Sequence, residues 1–179
     1  MQTIFRKAQS EHPYAGFYAD LCTQICRLEL LIRGMKASKG NIKKCEFRKQ
    51  MLTYCRESFE ALLSTPLTEE KKQDEKEEDR AEREFKTKHK LFGNIEFVGE
   101  LYKSQIVTDL VMFQVFSSLL GIDQESDSNV NDNTIEAAIR LISKLGLTLE
   151  TRITEIKEED KKAKLRGVVD QIYDRLKSL

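Results

Sequence analysis

Tryptophan is absent from this 179-residue chain, and proline occurs only twice. With eight glycines besides, there are few obligatory backbone breaks, and long runs of Leu, Ile, Lys, Glu and Arg favour helix. Charge of one sign is also missing: 30 basic side chains cancel 30 acidic ones, so no global field draws in nucleic acid or an anionic membrane. No apolar run approaches the ~18 residues of a membrane span. The opening Met1-Gln-Thr-Ile-Phe-Arg-Lys7 lacks the apolar core of a secretion signal. Four cysteines, Cys22, Cys26, Cys45 and Cys55, lie toward the N-terminus and read as reduced thiols rather than a disulfide framework, in keeping with a cytoplasmic location. Only two histidines are present, His12 and His89, far apart in sequence, so the paired ligand clusters of structural zinc are lacking.

What is present is helical periodicity. The chain is organised around Leu91-Phe-Gly-Asn-Ile-Glu-Phe-Val-Gly-Glu-Leu-Tyr102 and the apolar run that follows from Thr108 to Leu120. Leu91, Ile95, Val98 and Tyr102 form one stripe, flanked by Asn94 and Leu101 on one side and Gly99 on the other, with Glu96, Glu100 and Lys103 opposite. The run after Thr108 is apolar nearly all round, which predicts a helix with neighbours on more than one face. The two together predict an antiparallel hairpin.

Around this centre the remaining helices follow in order. The tail of a helix from Phe5 to Ser10 stops at His12-Pro13, because the residue before proline is pushed out of the α region. A helix from about Tyr14 to Ile32 carries Phe17, Leu21, Ile25, Leu28 and Ile32 along its expected inner face, widened by Tyr18 and Cys22, and Gly34 closes it. Met35 to Lys44 reads as a lysine-rich loop. Cys45 to Ser64 is a helix with Phe47, Met51, Tyr54, Cys55 and Leu62 inward and Leu52, Phe59 and Leu63 alongside. From Thr68 the run of alternating charge, inside an expected charged extension over 67–90, reads as a helical but mobile segment joining the organising helix near Phe85 or Leu91. Ile122 to Asp132 reads as a mobile loop. Asn133 with Glu136 resembles a capping box. The helix it opens, with Ile135, Ala138, Ile139, Ile142 and Leu145 inward, is expected to stop at Gly146. A short amphipathic piece over 147–156 precedes a last helix over 158–176, built on Leu165, Val168, Val169, Ile172 and Leu176. No strand pattern survives. Amphipathic helices of this length joined by short turns predict a single all-α domain over 1–179, a helical-hairpin solenoid rather than a four-helix bundle.

Candidate chemistry is sparse. Cys22 and Cys26 stand one turn apart, yet without further ligands they read as small core residues. No signature of a Cys/His nucleophilic pair accompanies them. Gly93 and Gly99 lack the Lys-Ser/Thr of a phosphate loop; on a helix, glycines there allow a neighbouring backbone to come close. Glu96 and Glu100 have the spacing of a solvated face, and Asn94 is expected to bond across to a neighbouring element. Two basic clusters stand out: Lys36, Lys39, Lys43, Lys44, Arg48 and Lys49, and Lys86, Lys88, His89 and Lys90. Solvated surface is the preferred reading of both, and salt-sensitive contact with RNA phosphates the competing one. Non-enzymatic binding, with no cofactor, metal, small-molecule substrate or membrane, is the expectation.

The segment Gly93-Asn-Ile-Glu-Phe-Val-Gly-Glu-Leu-Tyr102 closely resembles the G-N-I-x-F-I-G-E-L-[FY] motif of the middle domain of eukaryotic translation initiation factor four gamma. Phe5-Arg-Lys-Ala8 with Tyr18-Ala-Asp-Leu-Cys22 is similar to that domain's F-x-K-A and Y-A-x-[ML]-C helices. Phe47-Arg-Lys49 with Cys55-Arg-Glu-Ser-Phe-Glu60 is similar to its F-R-[KR] and C-[QR]-x-x-F-E helix. Ile135-Glu136, Arg140-Leu-Ile142, Leu145-Gly146 and Leu149 follow in the family's order. Resemblance therefore runs over essentially the whole chain, although the family's first helix and its last basic hairpin have no counterpart.

The resemblance implies HEAT-like antiparallel helical hairpins stacked in a crescent. It implies a scaffold that binds a DEAD-box RNA helicase in cap-dependent translation initiation and also touches mRNA and other initiation factors. Sibling domains act in nonsense-mediated decay, splicing and poly(A)-binding-protein regulation, and a helicase-independent RNA-binding module is the alternative of another kind. Helicase contacts are expected at Asn94, Phe97 and Glu100, with core packing the competing role for Phe97. RNA or partner contacts are expected at Lys43, Lys44, Arg48 and Lys49.

Overall fold

The computed structural model describes residues 2–64, 77–122 and 130–179. Among the described residues every regular element is helical and no strand occurs, as the periodicity predicts. The helices are α1 (Gln2–Ser10), a 3-10 turn over His12–Tyr14, α2 (Ala15–Ile32), the single turn α3 (Lys39–Ile42), α4 (Glu46–Ser64), α5 (Glu77–Lys103), α6 (Asp109–Leu120), α7 (Asp132–Glu155) and α8 (Glu159–Ser178). They form two compact units, residues 1–106 and 107–179. The boundary falls between the two halves of the predicted central hairpin, so α5 closes the first unit and α6 opens the second. None of the described helices is long and apolar enough to cross a membrane.

In the first unit α5 is the central member, packed by α1, α2 and α4. Its Leu91, Ile95, Val98 and Tyr102 are buried as expected, and so are Phe92, Gly93, Asn94, Phe97, Gly99 and Leu101. Only Glu96 and Glu100 of this stretch reach partly into solvent. A helix walled in on so many sides needs neighbours at more than one face, and α1 comes closest. A Cβ at Gly93 would stand 1.9 Å from the Gln9 carbonyl oxygen and 2.6 Å from His12 Nε2. Glycine is therefore what lets α1 lie against α5, as its place in the organising helix predicts.

The inner face of α2 differs from expectation. Ala15, Ala19, Cys22, Cys26 and Leu30 are buried, whereas Phe17, Leu21, Leu28 and Ile32 point outward. Apart from Leu30, small side chains take the face packed against α4 and α5, and most of the large apolar ones lie on the other side. The predicted glycine stop does hold: Gly34 takes φ +67, and the N–H groups of Gly34 and Met35 reach back to the carbonyls of Leu31 and Leu30. In α4 the buried residues are Met51, Cys55, Phe59 and Arg48, while Phe47, Leu52, Tyr54, Leu62 and Leu63 are half-buried. The lysine-rich segment expected to be loop contains α3, capped by the Ser38 hydroxyl on the Asn41 N–H. From Glu77 the charge run is helical as part of α5; the remainder of that expectation, 67–76, lies outside the described residues, as do 123–129 of the expected second loop.

The second unit packs α6, α7 and α8 against one another. Met112, Phe116, Leu119 and Leu120 of α6 are buried, but Leu110 is exposed, so burial on all sides does not hold for this helix. Gly121 ends it in the left-handed region, and Arg175 of α8 donates its Nε to the Leu120 carbonyl at 3.0 Å. The cap of α7 is Asn131, two residues before the expected Asn133. Its side chain accepts from the Asn133 and Thr134 N–H groups, and Thr134 supplies the reciprocal bond expected from Glu136. α7 also runs on through Gly146, the expected stop, to Glu155. Leu149 and Ile153 beyond the glycine remain buried, and the burial of that face outweighs the ~1 kcal/mol by which glycine disfavours helix. Ile139 is exposed, and Thr134, Ala137 and Leu141 take inner positions beside the expected stripe.

Two glycine replacements separate these effects. Gly93→Ala is expected to lower unfolding free energy by ~2–3 kcal/mol in urea titration, because the backbone of α1 must be pushed off. Gly167→Ala, in α8 with nothing within 4 Å of the added carbon, is expected to raise it by ~0.5–1 kcal/mol.

Candidate functional site

The motif residues and the basic cluster are both in the first unit, and burial separates them. Asn94 is fully buried; its Nδ2 donates to the Cys55 carbonyl at 3.4 Å and its Oδ1 has no hydrogen-bond partner. Phe97 is also fully buried, packed edge-on against Phe5 at 6.3 Å. The helicase contacts expected at these two side chains are thus corrected: neither reaches a surface that a partner touches, and both hold α5 to its neighbours. Glu100 is half-buried, accepts from Lys103 Nζ at 3.1 Å and lies beside Gly16 of α2. Of the three, it alone is partly open to solvent.

The basic residues divide in the same way. Lys43, Lys44 and Lys49 are exposed, whereas Arg48 is buried and donates its Nε to the Ile106 carbonyl at 2.7 Å. Arg48 is corrected from a surface contact to a tie between α4 and the segment after α5. Lys49 pairs with Glu46 at 3.1 Å. Lys36, Lys43 and Lys44 have no ion-pair partner among the described residues, so the uncompensated positive charge gathers around α3. The side chain of Lys39 lies outside those described. The second basic cluster does not form a patch: Lys86 pairs with Glu82 at 2.6 Å, Lys88 sits over the Phe92 ring, and His89 stacks on His12 with centroids 4.1 Å apart.

One carboxylate fixes the start of α4, directly after these lysines. Glu29 of α2 accepts from Cys45 Sγ at 2.9 Å and from the N–H groups of Glu46 and Phe47 at 2.8 and 2.9 Å. It caps α4 from another helix, satisfying donors that a helix start leaves open and placing negative charge at the positive end of the helix dipole. Arg33 bridges Glu29 to the Lys44 carbonyl, at 3.2 Å to each. The Cys45 thiol and the two N–H groups hold the Glu29 carboxyl down to about 2, well below the usual carboxylate range. No spacing rule signals such a cap, since its acceptor comes from a different helix.

The cysteines are core residues, as their sequence setting predicts. All four are buried and unpaired with one another, and burial pushes the Cys22 thiol up to about 12 and raises Cys26, Cys45 and Cys55 as well. Thiolates, the nucleophilic form, are therefore disfavoured. The two histidines, distant in sequence, meet face to face between α5 and the 3-10 turn that follows α1. His12 is held below its ordinary value first by burial and then by His89. No group of three metal-ligating side chains occurs among the described residues.

Replacing Glu29 by Gln leaves one acceptor oxygen for four donors, the Cys45 thiol, the Glu46 and Phe47 N–H groups and Arg33. The variant is expected to lose ~1–2 kcal/mol of stability at neutral pH. The wild-type carboxyl titrates lower when folded than unfolded, so its contribution is present above the ordinary carboxylate value of 4.5 and is lost as pH falls toward 2. Urea titrations of both proteins at stepped pH should show the gap closing across that window.

Comparison with known proteins places this architecture among relatives. The profile of the MIF4G domain matches residues 1–179. "Eukaryotic translation initiation factor 4G" of Arabidopsis thaliana is 28% identical over 152 residues, covering 82% of this chain and 8% of its own length. The protein of the same name from Triticum aestivum is 27% identical over 98% of this chain and 11% of its own. "Eukaryotic translation initiation factor 4 gamma 3" of Homo sapiens is 29% identical over 82% of this chain and 9% of its own. The chain thus spans about a tenth of the length of these relatives.

Proposed function

The chain belongs to the MIF4G domain family, and from that premise we propose that it is a non-enzymatic scaffold of cap-dependent translation initiation, working in the cytoplasm and gripping a DEAD-box RNA helicase. The observation that carries this reading is the match of the family over the full 179 residues, with relatives named as initiation factors over 82–98% of the chain. The structure supports a scaffold in a physical sense. The motif around Gly93 is spent on packing: Asn94 and Phe97 are sealed inside, and the thiols are buried in their protonated form. Such a body offers a fixed outer surface rather than reactive groups.

A scaffold stimulates a two-lobed motor only through differential affinity for one arrangement of the lobes. A hundredfold rise in the favoured arrangement requires roughly 2.8 kcal/mol of such preference. The surface groups proposed to carry it are Glu100, Lys43, Lys44 and Lys49; mRNA and other initiation factors are proposed as further ligands of the same basic face. The uncompensated charge of Lys36, Lys43 and Lys44 favours one second reading, direct RNA binding without a helicase.

The test is to mix the purified chain with the initiation helicase of its own cell, then measure complex formation and RNA-dependent ATPase rate. A complex with a raised rate is expected. Charge reversal at Lys43 and Lys44 together is expected to weaken it about tenfold, with stability changed by no more than ~0.5 kcal/mol because both are exposed. No complex and no change in rate would refute the helicase role, and salt-sensitive RNA binding that those same replacements abolish would then favour the second reading.

A further inference from the structure

The outward side of α2 carries a row of large apolar side chains left exposed among the described residues. Phe17 is 67% exposed, Leu28 57% and Ile32 85%, with Leu21 and Leu31 alongside. Phe17, Leu21, Gln24, Leu28 and Ile32 follow the three-and-four spacing of one helical stripe, the mirror of the small-residue face that packs inward. An 18-residue helix is ~27 Å long, and the stripe runs along most of it.

The order of residues along the stripe is self-complementary. Phe17 and Ile32, Leu21 and Leu28, and Gln24 and Ile25 are placed symmetrically about a point between Gln24 and Ile25. Two such helices laid antiparallel about a two-fold axis through that point set aromatic on aliphatic at both ends and leucine on leucine between. Apolar meets apolar in register, which is what an isologous contact requires. Gln24 is the one polar residue at the seam. Its amide both donates and accepts, so it pairs with its own copy across the axis, and a lone polar residue at such a position specifies register.

The flanking charges agree. Asp20 and Arg27 lie on one side of the stripe, two turns apart, both exposed and with no ion-pair partner among the described residues. In an antiparallel pair that flank meets the same flank of the other copy. Asp20 of one chain then faces Arg27 of the other, twice, with an axial offset of ~3 Å that the arginine side chain spans. A parallel pair would set this flank against the opposite flank of the other copy, and the two charges would not meet.

We propose that this face of α2 is a homodimer interface that joins two copies of the chain antiparallel, with Leu21 on Leu28 at its centre and two Asp20–Arg27 pairs along its edge. One helix per partner lies at the small end of stable interfaces, ~1,200 Å² in total, so the dimer is a micromolar one.

Sedimentation equilibrium of the 179-residue chain across micromolar concentrations is expected to show a monomer–dimer equilibrium. Leu28→Glu replaces an exposed residue, so helix content, and melting measured at concentrations where the wild type is monomeric, stay unchanged while the dimer is lost. Asp20→Arg alone is expected to raise the dimer dissociation constant about tenfold, since two attractions become repulsions. Arg27→Asp alone does the same. Mixing those two variants restores wild-type affinity as a heterodimer. The two replaced positions then face each other with opposite charge, and the untouched Arg27 of one chain faces the untouched Asp20 of the other. A chain that stays monomeric into the millimolar range overturns the proposal. So does a dimer that survives Leu28→Glu, or charge variants that do not recover on mixing.

Discussion

The first unit depends on how closely α1 can approach α5. At Gly93 the Gln9 carbonyl and the His12 ring occupy the space a side chain would take. Everything packed on that contact inherits its spacing: the Phe5–Phe97 edge contact, the stacked histidines, and Asn94 reaching across to α4. Small residues recur where helices crowd. Ala15, Ala19, Cys22 and Cys26 lie on the buried face of α2, which packs against α4 and α5. Close approach makes many dispersion contacts available per side chain, and packing density, more than side-chain size, decides which residues are inside.

That constraint explains what the sequence made legible and what it hid. Helix positions followed from periodicity and from the Gly34 stop, because these are local signals. The burial of Leu91, Ile95, Val98 and Tyr102 was readable too, since large apolar residues in the middle of a chain commonly face the core. The inner face of α2 was not readable by the same rule, because small side chains took the inside. Gly146 misled in the opposite direction: a glycine that ends an isolated helix is carried through when buried residues on both sides keep it in place. The cap of α7 was displaced by two residues because Asn131 and Asn133 are both good caps, and only the reciprocal bond from Thr134 distinguishes them.

For the candidate site, motif and contact proved to be different things. The residues that carry the family resemblance most strongly, Asn94 and Phe97, are interior, and Arg48 of the F-R-K match is a tie to the Ile106 carbonyl. A motif built mainly of packing residues preserves a shape, and the shape presents other side chains. Those are Lys36, Lys43 and Lys44 around α3, next to the start of α4 that Glu29 caps from a neighbouring helix. Composition could show that lysines were there. It could not show which of them lacked a counter-charge, since that depends on carboxylates distant in sequence.

The four sealed thiols have one further consequence. All lie between residues 22 and 55, so an alkylating reagent added to the native protein reacts only when that region opens, and its rate becomes a clock for local breathing. Residues 107–179 contain no cysteine and stay silent in the same reaction. A single mass-spectrometric time course therefore reads the fluctuations of the N-terminal half alone, with no label introduced and no residue replaced.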